Sequence, residues 1–224
     1  MSAIFVTATG TDIGKTFVAR GLIRALRRRG GAVAALKPVV SGFEPAEAAG
    51  SDSGLLLAAL GRPITLETIA EVSPWRFALP LAADMAAERE GRRLDYAAMI
   101  DFCRTAIAQN ADALLIEGAG GVMSPVDQEH TVLDWMTALR LPLVLVAGSY
   151  LGTISHTLTA LDAIARRGLT VISLVISESI ESPVRLDETC EAIARFATQV
   201  DIVALPRLRG KPEHAAFDRI VARM

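Results

Sequence analysis

The sequence predicts an α/β protein with a mostly parallel central sheet flanked by helices. Short, continuously apolar runs recur along the chain, the signature of strands buried on both faces. Segments of helical periodicity separate them, and a strand that must run parallel to its predecessor needs such a crossover. The first run ends in a glycine-rich turn, TATGTDIGKT at residues 7–16, that opens directly into a helix.

Taken in order, Ala3–Thr7 (AIFVT) reads as a buried strand, and Phe17–Arg29 follows with helical spacing and stops at Gly30-Gly31. A second strand, Ala32–Leu36, runs into Lys37-Pro38. A polar loop over Ser41–Ser53 leads to a helix at Gly54–Leu60. The stretch holding Ser73-Pro74-Trp75 and Leu79-Pro80 reads as irregular. Asp95–Gln109 is helical, and Ala113–Ile116 is an apolar strand that ends in Glu117-Gly118-Ala119-Gly120-Gly121. The alternation then repeats: helix Thr131–Leu139, strand Leu143–Ala147, helix Ile154–Arg167, strand Val171–Ile176, helix Leu186–Ala197, strand Ile202–Ala204, and an amphipathic helix over Glu213–Arg223. No Pro, Gly or Ser-rich linker and no repeat interrupts this order, so residues 1–224 are expected to form one domain, with its active groups at the carboxyl ends of the strands.

Composition narrows the function. Apolar residues make up 51% of the 224 and charged residues 21%, the balance of a compact chain. A net charge of −2 provides no broad basic field, so no nucleic-acid partner is expected and a small ligand must be gripped locally. No apolar run approaches the roughly 18 residues of a membrane span, and the amino terminus lacks a basic region followed by a long apolar stretch; a cytoplasmic protein without a membrane partner is expected. Cys103 and Cys190 lie in predicted helices far apart in sequence and are expected to be free. Of the 23 basic residues only Lys15, Lys37 and Lys211 are lysine. A chain that otherwise uses arginine has kept the compact ammonium, suited to a point contact with phosphate, at a glycine turn and at a strand end.

The turn departs from the usual phosphate-loop spelling of Gly, four residues, then Gly-Lys-Ser/Thr. That spelling puts the first glycine at Thr9, whereas the chain has Gly10, three residues before Gly14-Lys15-Thr16. A plain strand-to-helix turn with Lys15 in solvent and Thr16 as a cap could carry the same letters. The strand, turn and helix context favours a P-loop NTPase-like site, where backbone N–H groups and the helix start cradle phosphates, Lys15 reaches the β and γ phosphates, and Thr16 coordinates Mg2+.

Glu117, at a strand end before glycines, is placed to hold Mg2+, because hard cations take carboxylate oxygens. Lys37, at the end of the second strand, would face the same edge as Lys15 and neutralise charge on a transferring phosphoryl group. Asp52 reads equally as a ligand and as a helix cap. The stretch Gly148–His156 could present helix-start N–H groups to an anion, or could simply hold Thr153 as an N-cap. His130, His156 and His214 form no triad with a nearby nucleophile.

Together GTDIGKT, LKPVVSG, SDS, SPWRFALP, IEGAGGVMSP and LDWMTALRLPLVLVAGSYLGTISH resemble the dethiobiotin synthetase family, ATP-dependent ring-closing enzymes of biotin synthesis, over nearly the whole chain. That family spells its loop with one more residue, Gly-x5-Gly-Lys-Thr, which accounts for the odd spacing and puts Ala8 where its first glycine stands. The resemblance implies a carbamate formed from 7,8-diaminononanoate and CO2 that attacks the γ-phosphate of ATP, giving a carbamic-phosphoric anhydride that the second amine closes to a cyclic urea. It implies Lys15 and Lys37 as catalytic residues; Thr16, Asp52 and Glu117 as Mg2+ ligands; and Asp12, Ile13, Gly14, Phe17, Gly118, Ala119, Gly120, Ser177 and Pro206 around the nucleotide. Thr11 and Ser41 would contact the substrate. The active site would lie at a homodimer interface, where Gly152, Thr153 and Ser155 of one subunit receive the substrate carboxylate of the other. Ser155 and Ser177 stand where the family usually carries asparagine, and the second departure implies relaxed nucleotide selectivity. A competing class is the ATPase switch of the partition or septum-positioning type, whose loops usually carry a further lysine near the start, where this chain has Thr9, Gly10 and Thr11.

Overall fold

The computed structural model describes residues 2–109, 111–208, 210 and 212–224, which leaves Lys211 outside the described residues. Six parallel strands form the central sheet: β1 (Ser2–Ala8), β2 (Val33–Leu36), β5 (Ala113–Glu117), β6 (Leu143–Ala147), β7 (Val171–Ser177) and β8 (Ile202–Leu205), in the spatial order β2-β5-β1-β6-β7-β8. Helices α1 (Lys15–Arg28), α2 (Asp52–Leu60), α5 (Tyr96–Ala108), α6 (Val132–Leu139), α7 (Thr153–Arg166), α8 (Leu186–Ala194) and α9 (Ala215–Val221) supply the crossovers and the closing segment.

The strands are apolar throughout because both faces are covered. Ile4 and Val6 of β1, Leu115 of β5 and Val144 and Val146 of β6 pack with Val18, Leu22 and Ile23 of α1 and Phe217 of α9. Their neighbours Phe5, Leu114, Ile116 and Leu145 point the other way, onto Met99, Trp135 and Ile164. Phe5 and Trp135 meet edge to face with ring centres 5.0 Å apart. Ala8 is fully buried in extended backbone at the end of β1 and is not among the positive-φ residues, so alanine carries no strain there.

The segment between α2 and α5, expected to be irregular, is ordered by tertiary pairing. A two-stranded parallel sheet joins β3 (Val39–Ser41) to β4 (Trp75–Phe77), in the register Val39 to Trp75 and Ser41 to Phe77. Helices α3 (Leu66–Val72) and α4 (Ala83–Arg89) flank it. These three-residue strands cannot persist alone. Phe77 holds its strand in place by burial in the core, with the Arg92 guanidinium 4.7 Å from its ring centre. The ribbon and α4 form one wall of the main cavity.

Helix α1 is pinned between sheet and α9 by Gly21, whose absent Cβ would stand 2.3 Å from the buried Phe217 ring. Gly21→Ala gains about 1 kcal/mol of helix propensity, but its methyl cannot fit unless α1 and α9 separate, and overpacking of this kind costs about 1–3 kcal/mol. A net loss of stability is expected, read as a lower midpoint in urea unfolding; a raised midpoint would refute the close packing of these helices.

Candidate active site

Because β2, β5 and β1 lie side by side and parallel, the loops that follow them open on one edge. Gly14 starts α1 with φ 95°, a left-handed turn that an L side chain enters only with strain. The next two residues enter the site from the first turn of α1. Lys15 is 8% exposed and donates to the Gly120 carbonyl at 3.1 Å. The Thr16 hydroxyl donates to Glu117 Oε1 at 2.6 Å. Lys37 Nζ, arriving from β2, donates to the same Oε1 at 2.5 Å and to the Gly118 carbonyl at 3.4 Å, and pairs with Asp52 Oδ2 at 2.8 Å.

Glu117 is 1% exposed, and its second oxygen, Oε2, is buried with no partner among the described residues. A buried carboxylate oxygen of this kind carries a desolvation cost that a cation would relieve. With the Thr16 hydroxyl and the half-exposed Asp52 carboxylate beside it, the donor set is all oxygen and fits a hard divalent ion.

Ser51, not Asp52, caps α2: its hydroxyl accepts from Gly54 N–H at 3.2 Å. The Asp52 carboxylate is thereby free to face Lys37. Burial by itself would raise the Asp52 pKa, but Lys37, hydrogen-bonded to it, and Thr16 and Lys15 hold it below the usual carboxylate range. Burial disfavours the Lys37 ammonium too, and Glu117 and Asp52 outweigh that and raise its pKa above the ordinary lysine value. Lys15 goes the other way. Burial, reinforced by the Lys37 charge, pushes it down to about 8 against the pull of Glu117, Asp52 and Asp12.

A cavity of about 770 Å³ opens over these groups. Thr11, Asp12, Gly14, Lys15, Thr16, Phe17, Lys37, Ser41, Asp52, Ala119 and Gly120 line it, all expected from the sequence. Ser124, Pro125, Val39 and Pro80 line it too and were missed. Ser124 lies just past the glycine cluster, where its hydroxyl accepts from Gly121 N–H at 2.7 Å and fixes the turn; an isolated serine carries no sequence signal of that contact. Gly118 and Glu117 do not line the cavity: a Cβ on Gly118 would meet the Phe5 ring at 2.9 Å, so this glycine is packed closely against the core, while its carbonyl accepts from Lys37 Nζ at 3.4 Å. Gly120, with φ 65°, does face the cavity and offers its carbonyl to Lys15.

A second cavity, about 410 Å³, abuts the first across Asp12, Gly14 and Phe17 and is lined by Ile13, Ser177 and Pro206 as well. Asp12 bridges the two in a left-handed conformation, φ 57°. Gly152, Thr153 and Ser155 line neither cavity. Gly152, with φ 97°, occupies the N-cap of α7, the place that the capping alternative gave to Thr153. Thr153 is buried, its hydroxyl donates to the Gly148 carbonyl at 2.7 Å and its N–H to Tyr150 O at 3.1 Å, so neither group can also donate to a ligand. His214 is the N-cap of α9, not part of its body, and Cys103 and Cys190 are free thiols.

The fold and this site define a P-loop NTPase-like protein, with phosphate-facing groups on one edge of a parallel sheet. Residues 2–210 match the family described as AAA domain. A signal recognition particle 54 kDa protein from Aeropyrum pernix in complex with GDP shares the fold at TM-score 0.58 and 15% identity, over 99% of this chain and 45% of that one. The chloroplast FtsY of Physcomitrella patens does so at 0.52 and 15%, over 98% and 64%. This chain thus spans less than two thirds of those structures. Curated relatives match end to end. The ATP-dependent dethiobiotin synthetase BioD of Methylobacterium nodulans is 49% identical over 95% of this chain and 96% of its own, that of Caulobacter vibrioides 49% over 99% and 100%, and that of Pseudomonas aeruginosa 38% over 93% and 91%. The chain belongs to the family of ATP-dependent dethiobiotin synthetases.

Two expectations follow from the charges. The Lys15 ammonium is present below pH 8 and lost above it, so nucleotide affinity measured by calorimetry should be flat below that pH and fall by up to about tenfold per unit beyond it. Lys15→Arg should remove the decline, because a guanidinium keeps its proton; an unchanged affinity through pH 9.5 in the parent would contradict the assignment. Lys37→Met strands the buried Glu117 carboxylate and should cost roughly 3–5 kcal/mol in denaturant unfolding, with most of it recovered in the Lys37→Met/Glu117→Gln double variant.

Proposed function

We propose that the protein is an ATP- and Mg2+-dependent ligase that carboxylates 7,8-diaminononanoate with CO2 and closes the ring to dethiobiotin. The supporting observation is the meeting of Lys15, Thr16, Lys37 and Asp52 at one cavity, with Glu117 buried behind them and bonded to Thr16 and Lys37, in a chain that aligns end to end with ATP-dependent dethiobiotin synthetases. In this reading residues 1–224 act as one ligase domain in the cytoplasm, and the main cavity takes the diamine and the triphosphate tail while the second takes the base. Among the described residues no helix is long and apolar enough to cross a membrane.

An amine of the substrate combines with CO2 to give a carbamate and a proton. The carbamate oxygen attacks the γ-phosphorus and ADP leaves; the neighbouring amine then attacks the carbonyl carbon of the mixed anhydride and expels phosphate. Phosphoryl transfer asks mainly for positioning and charge neutralisation. The α1 amino end and Lys15 receive the phosphates. Lys37, whose protons face Glu117, Gly118 and Asp52, reaches the phosphoryl oxygens by exchanging its Asp52 contact. Thr16, Asp52 and Glu117 would hold Mg2+, which when bound neutralises β- and γ-phosphate charge. Thr11 and Ser41 face the diamine. In a homodimer the α7 start of the partner subunit would receive the substrate carboxylate, through Ser155 and the free N–H groups of its first turn rather than through the Thr153 hydroxyl.

The test supplies diaminononanoate, bicarbonate, Mg2+ and ATP and follows ADP release with ring closure. ADP release that requires the diamine supports the ligase; release indifferent to it points to an ATPase switch. Lys37→Ala should cut turnover by at least about 100-fold, as loss of one preorganised charge contact in a transition state does, and activity near the parent would remove Lys37 from the mechanism.

A further inference from the structure

Resting on the reading of Lys15 as the lysine that meets the phosphates, we propose that Ser124 is a positioning residue for it: the Ser124 hydroxyl fixes the peptide whose carbonyl holds the Lys15 ammonium. Ser124 closes the turn that follows β5. Its N–H donates to the Gly121 carbonyl at 3.0 Å, its Oγ accepts from the Gly121 N–H at 2.7 Å, and its own carbonyl accepts from Val132 N–H at 3.0 Å. Gly121 is thereby gripped by both of its backbone groups, and the turn is tied to the start of α6. On its other side the turn lies directly on the phosphate loop. Val122 N–H donates to the Ala8 carbonyl at 2.9 Å, and a Cβ on Gly121 would stand 3.1 Å from the backbone of Gly10.

The two atoms that link Ser124 to Lys15 belong to one peptide unit. The Gly120 carbonyl, which accepts from Lys15 Nζ at 3.1 Å, and the Gly121 N–H, which Ser124 Oγ receives, lie in one plane and point in opposite directions across a trans bond. Holding the N–H therefore aims the carbonyl. The unit joins two glycines, the first at φ 65°, so without that hold the plane can turn over at little steric cost. An ammonium has three protons, and the one given to Gly120 sets where the other two point. Lys15, Gly120 and Ser124 all line the main cavity, so those protons are oriented at the place where phosphates would enter.

The experiment is a double-mutant cycle on ATP binding, measured by calorimetry for the parent, Ser124→Ala, Lys15→Ala and the pair. In the parent background Ser124→Ala should weaken ATP about fivefold, the loss of one ordinary hydrogen bond. In the Lys15→Ala background it should cost less than about twofold, because the effect passes through that lysine. Ser124→Thr keeps the acceptor oxygen and should bind ATP like the parent. Because Ser124 borders the cavity, water can reach the Gly121 N–H of the alanine variant, and its urea midpoint should stay near that of the parent. In turnover, kcat should fall with the KM for the diamine unchanged. Equal losses in both backgrounds, a diamine KM that rises at constant kcat, or parent-like ATP binding by Ser124→Ala overturns the proposal; the first two would make Ser124 a general support of the fold or a direct contact of the ligand. Should ADP release not require the diamine, the ligase reading fails, and the binding cycle still decides the role of Ser124.

Discussion

A single carboxylate oxygen joins the parts of this site. Glu117 Oε1, buried at the end of β5, accepts from Lys37 Nζ on one side and from the Thr16 hydroxyl on the other. Those three residues come from β5, from the segment after β2 and from the first turn of α1. A buried carboxylate without partners would be costly, so the burial of Glu117 obliges the strand edge and the phosphate loop to meet. The same contact favours the Lys37 ammonium in a position where burial by itself lowers its pKa. Lys15, which bonds to the Gly120 carbonyl while the acids are bonded to Lys37, is instead lowered by its burial and by repulsion from Lys37.

The two cavities are built in different ways. Around the main one, the polar groups project from strand ends and from the first turns of α1 and α2, elements fixed by the apolar layers on both faces of the sheet. Such groups keep their geometry because the core must be disrupted to move them. Around the second, loops after β7 and β8 supply the walls, and side-chain to backbone hydrogen bonds by Ser149, Ser179 and Glu178 do the fastening. Left-handed residues occupy the seam. Asp12 and Gly14 turn the backbone between the two spaces, and the absence of a side chain on Gly14 makes room for the Ser177 hydroxyl.

Much of this arrangement was legible in the sequence, for reasons that hold residue by residue. AIFVT, ALLI and LVLVA are apolar without alternation, which only a strand covered on both faces tolerates, and each is a strand of the central sheet. Gly14-Lys15-Thr16 between strand and helix, and the rarity of lysine elsewhere, pointed to Lys15 and Lys37. The segment around Ser73-Pro74-Trp75 was not legible, because β3 and β4 exist only through each other and through the burial of Phe77. Asp52 was ambiguous for a related reason. Ser51 and Asp52 are both good caps by type, and the choice fell to Ser51 once Lys37 claimed the carboxylate.

The sequence by itself determined most of the strands and helices, because hydrophobic periodicity and glycine placement act over a few residues, and it determined the chemical kinds of group available: two lysines, two acids and a glycine-rich helix start. The tertiary structure alone decided that β2 and β1 flank β5, that Glu117 presents one oxygen to two donors and keeps the other free, and that Gly118 packs against the core while Gly120 faces the cavity. Those outcomes depend on contacts between residues 80 to 113 positions apart in the chain, whose pairing is fixed by the packing of whole layers and not by any local preference.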